Sequence, residues 1–166
     1  MENVAVFYAS DSGSTEKVAA LIAQQFSTES HDIADADIEE LEEYDLIVLG
    51  TPTINDGEIQ SDWGYVLQEL EDLSLSNTKV AVFGLGDQID FPDTFVDGMA
   101  DLANACKDAG ATIIGRWPSS GYQYSESRAE DQGEFIGLAI DVDRQADLTQ
   151  ERVIKWTEQL KGALAA

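Results

Sequence analysis

The chain has 166 residues, 43% of them hydrophobic, which is enough for one domain with an ordinary buried core. Nine lysines and arginines face 33 aspartates and glutamates, a formal net charge of −24 that argues against nucleic acid or an anionic membrane surface as a partner. No apolar run approaches the roughly 20 residues needed to span a bilayer, and the start "MENVAVFYAS" lacks a basic region and a cleavage site. The expectation is a single cytoplasmic domain over residues 1–166. The lone cysteine, Cys106, excludes an internal disulfide and a cysteine-based metal cluster.

The first element is an apolar strand, "NVAVFYA" (3–9), and a helix follows with Val18, Ile22 and Phe26 at i, i+4 and i+8. "SHDIADA" carries a weak second strand, with His31 exposed on it. "DLIVLG" (45–50) and "KVAVFGL" (79–85) are continuous apolar runs, as expected of strands covered on both faces. The helix between them is "SDWGYVLQELEDL", and a further helix carries Phe95, Met99, Leu102 and Cys106 towards the core. "ATIIGRW" reads as the fifth strand. The last helix, N-capped by Thr149, sets Val153, Trp156, Leu160 and Leu164 on one stripe.

Alternating strands and helices specify an α/β domain around a parallel, doubly wound sheet. In such sheets ligands sit beyond the carboxyl ends of the strands, so the loops there are the candidates for function. One segment breaks the alternation: residues 118–137, "PSSGYQYSESRAEDQGEFIG", form a polar stretch too long to be an idle connection in a compact domain.

After the first strand comes "SDSGST". Ser10, Ser12, Ser14 and Thr15 offer hydroxyl donors, Gly13 allows close backbone approach, and the helix beyond presents free N–H groups. This is a phosphate-type loop without a lysine, distinct from the P-loop; Asp11 is expected to point outward. After the third strand, Pro52 and Gly57 bracket a turn, and Gly57 can accept a positive φ. After the fourth, Asp87 could accept a hydrogen bond from a ring N–H, and Phe91 offers a flat apolar face.

Together, "SDSGST", "PTINDGEIQSDW", "GLGDQIDFPDTF" and the later "GLAIDVDRQADLT" resemble the flavodoxins, over essentially the whole chain. The resemblance implies a flavodoxin-like three-layer sandwich with a five-stranded parallel sheet in the order 2-1-3-4-5. Residues 118–137 would be the insertion that splits the fifth strand in the long-chain group. It implies non-covalent FMN and a monomeric, low-potential carrier of single electrons rather than an enzyme. Ser10, Asp11, Ser12, Gly13, Ser14 and Thr15 would surround the phosphate. Pro52, Thr53, Ile54, Asn55, Asp56 and Gly57 would flank the ring on one side, and Leu85, Gly86, Asp87 and Phe91 on the other. Asp143 would reach the ribityl chain. Partners would be redox proteins with a basic face, such as a flavoprotein or iron–sulfur reductase and an acceptor. The alternative is an FMN-dependent NAD(P)H quinone or flavin reductase of the same fold, but the chain offers no lysine or arginine between residues 18 and 78 to hold a dinucleotide.

Two positions depart from the long-chain pattern: Ile54 stands where tryptophan is usual, and Phe91 where tyrosine is usual. Phe91 keeps a ring, whereas Ile54 removes one. Ile54→Trp is therefore expected to lower the FMN dissociation constant, since an aromatic contact adds about 0.5–1.5 kcal/mol beyond its area. A fluorescence titration giving an unchanged or higher constant would contradict this.

Overall fold

The continuous apolar runs become the centre of a parallel sheet. The computed structural model describes residues 3–165. In chain order its elements are β1 (Val4–Tyr8), α1 (Ser14–Gln25), β2 (Ser30–Asp32), β3 (Leu46–Ile54), β4 (Glu58–Ile59), α2 (Ser61–Glu71), β5 (Lys79–Leu85), α3 (Gly98–Asp108), β6 (Thr112–Ile113), β7 (Trp117–Pro118), β8 (Glu130–Asp131), β9 (Glu134–Phe135), β10 (Leu138–Ile140) and α4 (Thr149–Ala165). The main sheet runs β10-β5-β3-β1-β2, all parallel, with β4 folded back antiparallel on β3. Counted by position across the sheet, this is the expected order 2-1-3-4-5.

Alternation along the strands divides the core in two. On one face Val6, Val48, Ala81 and Phe83 pack with Val18 and Ile22 of α1 and with Val153, Trp156 and Leu160 of α4. On the other, Phe7, Ile47, Leu49, Val80 and Val82 pack with Trp63 and Leu70 of α2 and Met99, Leu102 and Cys106 of α3. Burial pushes the Cys106 thiol up to about 12, so it is a packing residue and not a nucleophile. The two buried indoles are satisfied by backbone: Trp63 Nε1–H donates to the Gly50 carbonyl at 2.8 Å, and Trp156 Nε1–H to the Gly115 carbonyl at 2.7 Å.

Four sequence expectations are corrected. The run 111–117 is not one strand. Only Thr112 and Ile113 pair with Lys79 and Val80, whereas Trp117 and Pro118 join a separate sheet. The place beside the upper half of β5 goes to β10, whose Leu138, Ala139 and Ile140 pair with Phe83, Gly84 and Leu85. Next, β3 runs four residues past the apolar run, to Ile54, because β4 pairs with its far end. Phe95 lies ahead of α3, which begins at Gly98, and reaches the core from the preceding loop. Thr149 is the first residue of α4 and not its cap; a 3₁₀ turn (Ala146–Leu148) leads in, and the buried Thr149 hydroxyl has no partner among the described residues.

The polar stretch that interrupts the alternation is ordered by aromatic packing. Five of its residues, with Trp117, form an antiparallel sheet, β7-β9-β8. Beneath it Phe95, Tyr122, Tyr124 and Phe135 form a ring cluster with centroids 5.2–5.8 Å apart. The Tyr122 hydroxyl accepts from Trp117 Nε1–H and donates to the Ala139 carbonyl, fastening this sheet to β10. Burial pushes the Tyr122 phenol up to about 12, so that O–H donor persists at neutral pH. The junction also needs Gly137: a Cβ there would lie 1.9 Å from the Val82 carbonyl oxygen, a backbone atom that cannot yield. Gly137→Ala should therefore pull β10 off β5 and cost about 3 kcal/mol, measured by urea unfolding; a loss under 1 kcal/mol would contradict that packing.

Candidate functional site

Three loops and the entry to a fourth meet beyond the carboxyl ends of β1, β3, β5 and β10. The cleft between them has a volume of about 250 Å³ and is lined by Asp11, Ser12, Ser14, Thr15, Pro52, Thr53, Ile54, Leu85, Gly86, Asp87, Phe91, Val142 and Asp143. All but Val142 were expected from sequence. Val142 was missed because it belongs to the apolar "LAIDV" run, where it reads as strand interior. Ser10, Gly13, Asn55, Asp56 and Gly57 are the expected residues that do not line it.

The first loop is organised around its own backbone. Gly13 sits at φ 92°, in the left-handed region, with no atom within 4 Å of where a Cβ would be. Its N–H donates to Ser10 Oγ at 2.9 Å, so Ser10 supports the loop and does not face the cleft. No side chain caps α1. The first helical bond, Lys17 N–H to the Gly13 carbonyl, leaves the N–H groups of Ser14, Thr15 and Glu16 without intrahelical acceptors. Ser12 and Ser14 lie close enough for a weak hydroxyl bond of 3.4 Å, and Thr15 is buried beside them. Asp11 is exposed, as expected, and accepts from Nε2 of the buried Gln60 at 2.8 Å.

On the opposite wall the β3–β4 hairpin turns through residues 55–57. Asn55 (φ 48°) and Gly57 (φ 92°) are both left-handed. Asn55 and Asp56 are exposed at the tip, and Gly57 is buried behind it. The hairpin is tied down at both ends: Thr53 Oγ1 accepts from the Gly98 N–H at 2.9 Å, and the Gly57 carbonyl accepts from Arg128 Nη2 at 2.9 Å.

The third wall differs from expectation in one respect. The Asp87 carboxylate is already engaged: Oδ1 accepts from the amides of Ile89 and Asp90 and from Arg144 Nε, each at 3.0 Å, and Oδ2 faces Arg144 Nη2 at 3.3 Å. The Asp87 carboxylate is thus already committed to its own loop and to Arg144. Phe91 is half exposed at the rim, 51% accessible, and Ile89 is equally so. Behind these loops lies Asp141, fully buried. It accepts from Gln88 N–H (3.0 Å), Gln88 Nε2 (2.8 Å), Asp143 N–H (3.1 Å) and Arg144 N–H (2.9 Å). Gln88 Oε1 in turn accepts from the Gln123 amide.

The donor set suits a phosphate-bearing, flat ligand: hydroxyls and free amides at one end, Ile54 and Phe91 to flank a ring, and no lysine or arginine lining the cleft. No group of His, Cys, Asp and Glu among the described residues could hold a metal.

Comparison with known proteins follows the same lines. The family model described as Flavodoxin matches residues 6–156. The flavodoxin of Picosynechococcus sp. is 41% identical, with 98% of each chain covered. Flavodoxin 1 of Escherichia coli is 42% identical over 96% of this chain and 93% of its own. Among solved structures, the flavin mononucleotide-bound flavodoxin of Fusobacterium nucleatum superposes with a TM-score of 0.93 at 28% identity, covering 98% of this chain and 99% of that one.

Arg144 gives this loop a pH signature. Partial burial alone would raise the Asp87 carboxyl, but the Arg144 hydrogen bonds and the Asp90 and Ile89 amides outweigh it and hold it below the usual 3.8. A depressed folded value contributes stability above the unfolded pKa, lost as pH falls through the folded one. Asp87→Asn should thus narrow the stability difference between neutral and acid pH below about pH 4, read from urea midpoints at each pH; identical acid limbs would show that the pair contributes nothing.

Proposed function

The chain belongs to the flavodoxin family, and from that premise we propose that it binds FMN non-covalently in the three-loop cleft and carries single electrons at low potential between redox proteins. Bound FMN supplies the one-electron chemistry; the remaining work falls to this chain's residues. Ser12, Ser14, Thr15 and the free amides of α1 would hold the phosphate without a cation. Pro52, Thr53 and Ile54 on one side, and Leu85, Gly86 and Phe91 on the other, would enclose the ring and exclude water from its faces. Asn55, Asp56 and Gly57 would form the lip over one edge, with Val142 and Asp143 beside the sugar chain.

The observation that carries the reading is the charge of this cleft. Asp11, Asp87 and Asp143 line it and no cation does. A site so composed resists added negative charge, although Arg144 offsets Asp87 in part. In a one-electron couple each 1.4 kcal/mol of such resistance lowers the potential by about 59 mV. The same composition disfavours the reductase alternative, which needs cations to dock a dinucleotide.

The formal charge of −24 fits basic-faced redox partners, steered from a distance. No helix among the described residues is long and apolar enough to cross a membrane. The single buried cysteine fits a reducing compartment, and we place the protein in the cytoplasm as a monomer of one domain carrying a long-chain insertion.

The test is to titrate the purified apo chain with FMN and with riboflavin, which lacks the phosphate, and then to reduce the FMN complex stepwise. FMN is expected to bind at least tenfold more tightly than riboflavin, by about 1.4 kcal/mol or more, and to reduce in two resolved one-electron steps. Equal affinities would remove the phosphate loop from the reading, and direct rapid reduction by NADPH would restore the reductase alternative.

A further inference from the structure

The hairpin that walls the cleft is held from a part of the chain remote from it in sequence. Arg128 lies between the ring cluster and β8, and its guanidinium reaches three groups at once. Nη2 donates to the Gly57 carbonyl at 2.9 Å, Nη1 pairs with Asp101 Oδ1 at 3.0 Å, and Nε faces Asp97 Oδ2 at 3.4 Å. The Arg128 backbone N–H adds a bond to Asp97 Oδ1 at 2.7 Å. Asp97 is buried and Asp101 partly so, both at the start of α3. The fork geometry of guanidinium allows this simultaneous grip, which a point charge cannot reproduce.

The gripped turn is conformationally costly. Two of its three residues are left-handed, one of them not a glycine, and its tip is exposed. A Cβ at Gly57 would lie 2.8 Å from Asp97 Oδ2 and 3.2 Å from Thr94, so the turn rests directly on the carboxylate that anchors Arg128. The N-terminus of α3, Arg128 and the turn therefore form one unit.

We infer that Arg128 is a positioning residue for the FMN cleft: by holding the Gly57 carbonyl from behind, it fixes the geometry that the hairpin presents to the cofactor. The inference rests on the FMN reading above. A bound cofactor's potential departs from its free value only through the site's unequal affinity for its redox states. A wall held in one geometry discriminates between those states more sharply than a wall free to adapt. Arg128 thus acts on the potential without touching the ligand.

The experiment compares wild type with Arg128→Met, which keeps the aliphatic stem, and Arg128→Lys, which keeps the charge without the fork. Each full-length chain is assayed for FMN affinity, for both one-electron midpoint potentials, and, without FMN, for hydrogen exchange at the amides of residues 55–58. Arg128→Met is expected to speed that exchange and to weaken FMN by roughly tenfold, the worth of one hydrogen bond to a charged group. Its potentials should move towards those of free FMN, and Arg128→Lys should recover part of the shift. Potentials unchanged in both variants, whether or not affinity falls, would overturn the inference, since uniform loosening is all that a merely structural residue would produce. Should Arg128→Met not fold, Arg128→Lys decides alone. If wild type itself binds no FMN, the functional reading has failed; the exchange data then decide the clamp, and rates equal to wild type overturn it.

Discussion

The arrangement of the cleft depends on one buried carboxylate. Asp141 lies at the end of β10 with no solvent contact, and a bare charge in that position would be prohibitively costly. It is tolerable because two loops turn their amides inward to meet it, the one after β5 through Gln88 and the one after β10 through Asp143 and Arg144. Gln88 then fixes the segment leading to Tyr122 and Tyr124 by accepting the Gln123 amide. Removing the carboxylate would leave several donors unpaired at once, so these connections form or fail together. A hub of this kind specifies geometry more than it adds stability.

The same commitment of side-chain acceptors recurs around the cleft. Asp87 is spent on its own loop and on Arg144. Ser10 is spent on Gly13, and Thr53 on the first amide of α3. What remains free for a ligand is mostly backbone and small hydroxyls, held still by side chains facing away from it. The ring cluster of Phe95, Tyr122, Tyr124 and Phe135 packs into the core beneath β10 and is bonded to it through the Tyr122 hydroxyl and the Ala139 carbonyl.

The architecture was legible in the sequence where the signal was local. Continuous apolar runs gave β1, the core of β3, and β5, and the loops beyond them could be located by position alone. What escaped depends on partners distant in the chain. The fifth strand position is shared by β6 and β10 because each pairs with a different half of β5, a division that neither segment's composition encodes. The Asp87 carboxylate reads as available until Arg144, 57 residues away, is seen to occupy it. Arg128 carries no motif and reaches Gly57 across 71 residues. Thr149 has the chemistry of a cap but sits one step inside the helix, because a 3₁₀ turn precedes it. Within the cleft, side-chain types were readable while their commitments were not.

The unprotected start of α1 has a consequence for the life of the protein. A helix begun by left-handed Gly13, with no side chain bonding its first amides, forgoes the few tenths of a kcal/mol, roughly, by which a serine or aspartate cap exceeds glycine. The empty chain is to that extent the weaker form. An anion seated there meets those amides, and its binding raises the resistance against unfolding by RT ln(1 + [L]/Kd) in all. Molecules that go unfilled would spend more time open to proteases, so the standing amount of this protein would follow the supply of what it carries.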